Sequence, residues 1–272
     1  MIRTTSPACS NPARRLWCAP GWRGDWNVIQ GAFFDGWSNR NIVSPFEPPA
    51  EWPRLRAFDW GYAAPFSVGW WAVVTEDRPV RPGLVLPRGA MVRYREWYGC
   101  SGLPGEGLRL EAEAVARGIL ERQSGERFVK SVADPSIFSE DGGPSIAERM
   151  RRAGVAFLRA DNTRVGQVGA LSGWDQMRAR IAGNESGPLL AVFDSCRDFI
   201  RTVPVLQHDR LRAEDLDTDA EDHIADETRY ACLSRPLLPP LARTPPAARD
   251  SWTRARAAAA RRGAGTTSWK AL

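Results

Sequence analysis

The chain has 272 residues, of which 43% are hydrophobic and 25% are charged, a composition typical of a globular protein with one main core. No apolar run approaches the roughly 18 residues that span a bilayer, and the N-terminus lacks the apolar stretch of a signal peptide. These features argue against a membrane protein and against export, so we expect a cytoplasmic location.

The cysteine and histidine content restricts the kinds of metal site that are possible. The five cysteines are widely spaced and never form a C-x-x-C pair, which argues against a disulfide framework and against a zinc site. Only two histidines are present, so carboxylate oxygens would be the main ligands of any metal ion. Oxygen ligands favour hard divalent ions such as Mg²⁺ or Mn²⁺.

The net charge of +5 comes from the C-terminal end, because seven basic residues and one acidic residue lie between Arg243 and Leu272. A basic tail can bind nucleic acid, but a solvated terminus explains the same composition equally well. The proline-rich stretch that begins at Pro236 ends regular structure. We therefore predict that residues 237–272 form a disordered basic tail rich in Pro, Ala and Arg.

The first half of the chain has a lead segment followed by a predicted meander. Poor periodicity and prolines at 45, 48, 49 and 53 predict that residues 1–52 are a lead segment and linker, and that the main domain covers 53–236. Strand-like patterns at 55–59, 66–74 and 90–97 predict an antiparallel meander. A helix over 106–122 and a strand over 128–133 follow.

The second half alternates helices and strands. Ser145, with Glu148 three residues later, predicts a capped helix over 145–153. The remaining predicted elements are a strand, a helix, a strand and a helix, at 155–158, 165–181, 189–193 and 219–233. A meander followed by alternating elements predicts an α/β fold, a mixed sheet flanked by helices, and this order matches the ribonuclease H-like fold.

Two aspartates lie where predicted strands end. Asp59 closes the strand at 55–59, and Asp134 comes directly after the strand at 128–133. A charge on a mostly buried strand costs several kcal/mol unless it is paired, protonated or bound to a cation. The structural alternative is that each aspartate only begins a turn, Asp59 with Gly61 and Asp134 with Pro135.

The start of the last predicted helix carries further acidic residues. Asp222, His223 and Asp226 share one face of this helix, because their spacings are three and four residues. The two aspartates repel each other unless a cation compensates them, so Asp226→Asn is expected to lose cutting activity and to gain slight stability without metal. Acidic residues in a first helical turn also favour the helix dipole, which is the structural alternative.

The three aspartates Asp59, Asp134 and Asp226 have the chain order of a two-metal nuclease, two strand ends followed by a helix. In such an enzyme water attacks a phosphodiester in line, while two divalent ions about 4 Å apart stabilise the attacking and leaving oxygens. Three or four converging carboxylates would supply the ligands.

These residues resemble the C-terminal nuclease domain of phage terminase large subunits, over roughly residues 15–235. The stretch 25–34 (DWNVIQGAFF) resembles the passage that joins the ATPase domain of that family to its nuclease domain. The stretch 58–62 (FDWGY) resembles the first catalytic strand, and 133–135 (ADP) resembles the second acidic position. The stretch 222–230 (DHIADETRY) resembles the closing helix and is the most specific of these motifs.

The resemblance implies a role for each site residue. Asp59 would bridge two metal ions, Asp134 and Asp226 would each complete a metal site, and Asp222 is a further candidate ligand. His223 would lie beside the site as a ligand or a proton-transfer group. The implied cofactors are two Mg²⁺ or Mn²⁺ ions.

The same resemblance implies the biological role and the partners. The protein would cut concatemeric phage DNA at the start and end of packaging, in the cytoplasm of a bacterial host. Its partners would be double-stranded DNA, the portal protein and the small terminase subunit. Arg164 is a candidate contact for DNA phosphate, although a surface arginine explains it as well.

The sequence departs from the family at the motor domain. The ATPase of the family needs a G-x-x-x-x-G-K-[ST] loop, and neither Lys130 nor Lys270 follows a glycine, so we expect no ATP hydrolysis by that mechanism. An excised domain, a split subunit and a prophage remnant all stay open. So do two other functions: another ribonuclease H-like nuclease such as a resolvase or integrase, and a module that binds DNA and docks on the portal without cutting.

Overall fold

The computed structural model describes residues 31–123, 125–166 and 172–237. Within these residues the strands are β1 (Ile42–Val43), β2 (Arg54–Asp59), β3 (Ser67–Val73), β4 (Arg78–Arg81), β5 (Leu84–Leu86), β6 (Met91–Tyr98), β7 (Lys130–Ala133), β8 (Leu158–Arg159) and β9 (Leu190–Phe193). The helices are α1 (Ala112–Gln123), α2 (Ile146–Arg152), α3 (Gly173–Ala182), α4 (Arg197–Thr202) and α5 (His223–Ser234).

A seven-stranded sheet forms the centre of the fold, in the order β1-β9-β6-β3-β2-β7-β8. The strands β2, β3 and β6 pair antiparallel and form the predicted meander. The outer pairs β1–β9, β9–β6, β2–β7 and β7–β8 are parallel. The fold is therefore the predicted mixed α/β sheet flanked by helices.

Helices cover both faces of this sheet, because successive residues of a strand point to opposite faces. Gly69 and Trp71 of β3 face α5, where both contact Glu227. Trp97 of β6 points to the opposite face and packs against Gly118 of α1. All seven residues of the central strand β3 are consequently buried.

Several elements differ from the sequence-based predictions. The hairpin β4–β5 and the short helix α4 were not predicted, and the strand predicted at 155–158 lies at Leu158–Arg159. α1 begins later than position 106, because the segment before it forms a loop in which Gly102 and Gly105 adopt positive φ. α5 begins at His223, since Asp222 occupies its N-cap position. The helix predicted at 165–181 is observed as α3, and residues 167–171 lie outside the described residues.

The folded unit extends into the predicted lead segment. β1 is an edge strand of the central sheet, and Phe33 and Phe34 pack in the core against Trp174. The predicted boundary at residue 52 therefore falls between two strands of one sheet. Residues 1–30, with Cys9, Cys18 and the start of the 25–34 motif, and residues 238–272 of the predicted tail lie outside the described residues. No helix in the described ranges is long and apolar enough to cross a bilayer.

Candidate functional site

Asp59 and Asp134 are neighbours at one edge of the central sheet. Asp59 is the last residue of β2, and Asp134 directly follows β7, the parallel neighbour of β2. In this register Phe58 lies opposite Ala133, and the backbone N–H of Asp134 donates to the Phe58 carbonyl over 3.0 Å. The carboxyl ends of adjacent parallel strands are a common position for ligand sites in α/β proteins.

Asp59 is buried, with an exposed fraction of 5%, and it is contacted by two side chains of α5. His223 Nδ1 lies 3.0 Å from Asp59 Oδ2, and the Tyr230 hydroxyl donates to Asp59 Oδ1 over 3.4 Å. The two residues are seven positions apart, so they lie on the same face of α5 two turns apart. This helix face therefore covers the end of β2.

The electrostatics of Asp59 reflect burial among other acids. Burial raises the pKa of Asp59 to about 7 against the opposing hydrogen bond with His223, and the charges of Asp226 and Asp134 add to the rise. Burial alone would lower the pKa of His223, but its hydrogen bond with Asp59 and the nearby carboxylates outweigh burial and raise it. The carboxyl and the imidazole consequently both change charge near neutral pH.

Asp134 has a structural role as well as its position at the site. Its Oδ1 accepts from the backbone N–H of Ser136 over 3.0 Å, and its Oδ2 accepts from the Ser136 hydroxyl over 2.6 Å. These bonds cap the 3-10 turn Pro135–Phe138. The turn-forming alternative is thus present in the structure, and it coexists with a position beside Asp59.

Asp226 is held by two arginines. Arg229, three residues later on α5, donates to Asp226 Oδ1 from Nη2 over 2.7 Å and from Nε over 3.1 Å. Arg164 Nη1 lies 3.3 Å from Asp226 Oδ2. Arg164, a candidate phosphate contact in the sequence analysis, is therefore an ion-pair partner of a candidate metal ligand.

Asp222 lies at the N-cap position of α5 and makes no side-chain capping hydrogen bond there. It is largely buried, and burial followed by the charge of Asp226 raises its pKa to about 6. A carboxyl in this state gains from a nearby positive charge. The helix-dipole alternative accounts for the position of Asp222 but not for its burial.

The site is rich in the oxygen donors that a hard divalent ion binds. Asp59, Asp134, Asp222 and Asp226 lie at the junction of β2, β7 and α5, and two of them have raised pKa values. This donor chemistry fits Mg²⁺ or Mn²⁺. Among the described residues, however, no three His, Cys, Asp or Glu side chains are grouped closely enough to hold one ion. The structure brings His223 onto Asp59 and leaves Asp226 facing arginines.

Three residues around the site escaped the sequence analysis. Tyr230 and Arg229 were noticed only as part of a motif, although Arg229 has the i,i+3 spacing from Asp226 that predicts an ion pair. Asp215 accepts from Arg164 Nε over 3.0 Å and from Trp174 Nε1 over 2.8 Å. It lies in a loop without periodicity, so no local signal predicts its role.

Comparison with solved structures shows the fold. The full-length large terminase of a thermophilic bacteriophage matches with a TM-score of 0.56 and 16% identity, covering 75% of this chain and 44% of that chain. The P22 large terminase nuclease domain matches with a TM-score of 0.51 and 16% identity, covering 78% of this chain and 93% of that domain. The nuclease of the large terminase from thermophilic phage G20c, solved with bound cobalt, has a TM-score of 0.46 at 10% identity, covering 75% and 98%.

These matches agree with the fold that the sequence predicts. The chain has the fold of terminase nuclease domains, which is ribonuclease H-like, and it spans less than half the length of the first of these large terminases. No protein-family model and no curated protein sequence matched the chain.

Proposed function

We propose that this protein is a metal-dependent DNA endonuclease of the terminase large-subunit type, which cuts concatemeric viral DNA during genome packaging. The observation that carries the proposal is the buried carboxylate of Asp59 at the end of β2, next to Asp134 and in contact with His223 of α5. The fold shared with the P22 nuclease domain supports the same assignment.

Asp59, Asp134, Asp226 and Asp222 would hold the metal, as two Mg²⁺ or Mn²⁺ ions with Asp59 between them. When bound, such ions supply a water of lowered pKa as the nucleophile and stabilise the charge that develops on the phosphate. Burial of Asp59 and Asp222 supports this assignment, because a buried carboxylate needs a compensating cation at neutral pH.

The remaining side chains of the site orient the ligands and move protons. His223 contacts Asp59 through Nδ1, so the imidazole fixes the direction of that carboxylate and leaves Nε2 as the ring atom for proton transfer. The Tyr230 hydroxyl holds the other oxygen of Asp59. Arg229 fixes the position of Asp226.

Double-stranded DNA is the proposed substrate, bound mainly through its phosphates. Arg159 ends β8, the parallel neighbour of β7, so it lies on the same sheet edge as Asp134. Its Nη1 donates to the Pro135 carbonyl over 3.2 Å, and its side chain is exposed. An exposed guanidinium next to a carboxylate site can contact a phosphate that approaches that site. The portal protein and the small terminase subunit are the proposed protein partners, in the cytoplasm of a bacterial host.

A plasmid-nicking assay on the purified chain tests this proposal. We expect cleavage with Mn²⁺ or Mg²⁺, no cleavage with excess EDTA, and a loss of orders of magnitude for Asp59→Asn. Asp141→Asn is the matched control, because Asp141 is exposed in the loop before α2. Undiminished cleavage in EDTA, or full activity of Asp59→Asn, would contradict the proposal.

A non-cutting module that binds DNA and docks on the portal is the second candidate. The pairing of Asp226 with Arg229 and Arg164 favours it, because paired carboxylates do not need a metal. This candidate predicts DNA binding without cleavage under every metal condition. A resolvase-type nuclease would instead cut a four-way junction in preference to linear duplex, so the two substrates should be compared directly.

A further inference from the structure

The two arginines around Asp226 are held in different ways. Arg229 is 2% exposed, its Nη1 donates to the Thr163 carbonyl over 3.1 Å, and its guanidinium lies 4.9 Å from the centre of the Trp174 ring. Two of its nitrogens donate to the same oxygen of Asp226. Arg229 is therefore fixed by hydrogen bonds and packing on several sides.

Arg164 is anchored away from Asp226 and touches it only weakly. Its Nε donates to Asp215 Oδ1 over 3.0 Å, and its guanidinium lies 5.0 Å from the centre of the Trp174 ring. Only Nη1 reaches Asp226, at 3.4 Å from Oδ1 and 3.3 Å from Oδ2, and the side chain is 26% exposed. These long contacts cost less to break than the short bonds of Arg229.

The charges of the site give Arg164 two possible partners. Without a cation, Asp226 lies near the carboxylates of Asp59 and Asp222, and Arg164 supplies a positive charge that reduces their repulsion. A divalent ion on Asp226 would repel the guanidinium and compete for the same oxygens. A guanidinium released in this way has the forked geometry that binds phosphate.

We propose that Arg164 is an exchangeable counter-charge of the site, which neutralises Asp226 when no divalent ion is bound and turns to a DNA phosphate when an ion takes its place. Asp215 anchors Arg164 in both states, and Arg229 keeps Asp226 in position. The inference rests on the proposed function, because it requires that Asp226 binds a metal ion.

The test compares two binding measurements on the full-length chain. Mn²⁺ affinity is measured by calorimetry without DNA, and DNA affinity is measured by anisotropy with Mn²⁺ and a short phosphorothioate duplex that resists hydrolysis. We expect Arg164→Gln to bind Mn²⁺ about threefold to tenfold more tightly, because a competing charge is removed. The same variant should bind DNA about threefold to tenfold more weakly, because a phosphate contact is lost.

The opposite signs separate this role from a structural one, which would weaken both affinities. Arg152→Gln is the matched control: it removes the same charge from an exposed arginine of α2 whose ion pair is with Glu148, and it should leave Mn²⁺ affinity unchanged. Unchanged or weaker Mn²⁺ binding by Arg164→Gln overturns the inference. Wild-type protein that binds no Mn²⁺ overturns the proposed function as well.

A second variant covers the case in which Arg164→Gln does not fold, judged by circular dichroism. Arg164→Lys keeps the charge and the aliphatic stem but loses the fork that binds Asp215 and a phosphate together. We expect it to keep Mn²⁺ affinity within about twofold of wild type and to lose DNA affinity about threefold or more. Equal losses of both affinities would overturn the inference.

Discussion

The carboxyl of Asp59 is surrounded by His223, Tyr230 and two other acids, and its charge state sets what the site can bind. Burial raises its pKa to about 7, so a proton and a divalent ion compete for the same oxygens near neutral pH. The hydrogen bond with His223 opposes this rise but does not cancel it. A site of this kind binds metal more tightly as the pH increases.

The raised pKa of Asp59 predicts a pH dependence of stability. The folded carboxyl keeps its proton up to about pH 7, whereas the unfolded one loses it near its ordinary value of 3.8. Between these values the folded state binds more protons, so the free energy of unfolding should fall as the pH rises from about 4 to about 7. His223 acts in the same direction, because its pKa is also raised.

Urea unfolding across this range, without divalent ions, measures the effect. Asp59→Asn removes the titrating carboxyl, so its free energy of unfolding should fall less between about pH 4 and about pH 7 than that of wild type. Asp141→Asn, at an exposed position, should keep the wild-type slope. Identical slopes for wild type and Asp59→Asn would show that Asp59 titrates normally.

Replacing Asp226 tests the other side of the site. Asp226→Asn should reduce cleavage by orders of magnitude, because the charge that would hold the ion is lost. The variant should also be less stable by about 1–3 kcal/mol, because Arg229 is buried and loses its charged partner. Carboxylate repulsion alone had indicated a slight gain in stability, and the pairing with Arg229 and Arg164 reverses that expectation.

Nicking rates and melting temperatures, measured with and without Mn²⁺, check both parts of this prediction. His223→Ala should reduce cleavage less than Asp226→Asn, because His223 acts through Asp59 or as a proton carrier. Full cleavage by Asp226→Asn would remove Asp226 from the site. A raised melting temperature without metal would show that the ion pair with Arg229 contributes little.

The helix α5 is the element that assembles the site, and a buried ion pair holds it on the sheet. Glu227, next to Asp226, is fully buried and pairs with Arg93 of β6, and it accepts from Trp71 Nε1 over 2.8 Å. Gly69 of β3 leaves the room that this carboxylate needs, because a Cβ there would meet both Glu227 and Arg93. The position of Asp226 over the sheet therefore depends on a glycine in the central strand.

Gly69→Ala should displace Glu227 and shift α5. We expect a loss of stability of about 1–3 kcal/mol from overpacking, together with weaker Mn²⁺ binding. Thermal unfolding and calorimetry measure the two effects. Gly143→Ala is the control, since a Cβ at that position meets no other atom. Wild-type Mn²⁺ affinity in a destabilised Gly69→Ala protein would mean that α5 does not position the site.

The whole molecule has the fold of a terminase nuclease domain, and its sequence contains no phosphate-binding lysine loop. Cleavage by this chain should therefore need a divalent ion but no ATP. Nicking of several plasmids of unrelated sequence, with and without ATP, measures this directly. We expect equal rates in each case, because contacts to phosphates carry no sequence information. A requirement for ATP would show that a motor is coupled to the site.

Local sequence patterns determined the elements and the candidate residues. Alternating and helical periodicities predicted the meander and most of the later elements, and Ser145 caps α2 by accepting from the backbone N–H of Glu148, as predicted. The strand-end positions of Asp59 and Asp134 and the helix position of Asp226 were also readable. Each depends on residues close in sequence, because burial periodicity and capping are local effects.

Only the tertiary structure decided which side chains meet. His223 and Asp59 are 164 residues apart, and Arg164 and Asp226 are 62 residues apart, so no local pattern connects either pair. The parallel register of β2 and β7 and the crossing of α5 over β2 set these contacts. The same packing turned Asp226 towards two arginines, which the sequence did not indicate, because the partners of a charge depend on how distant elements pack.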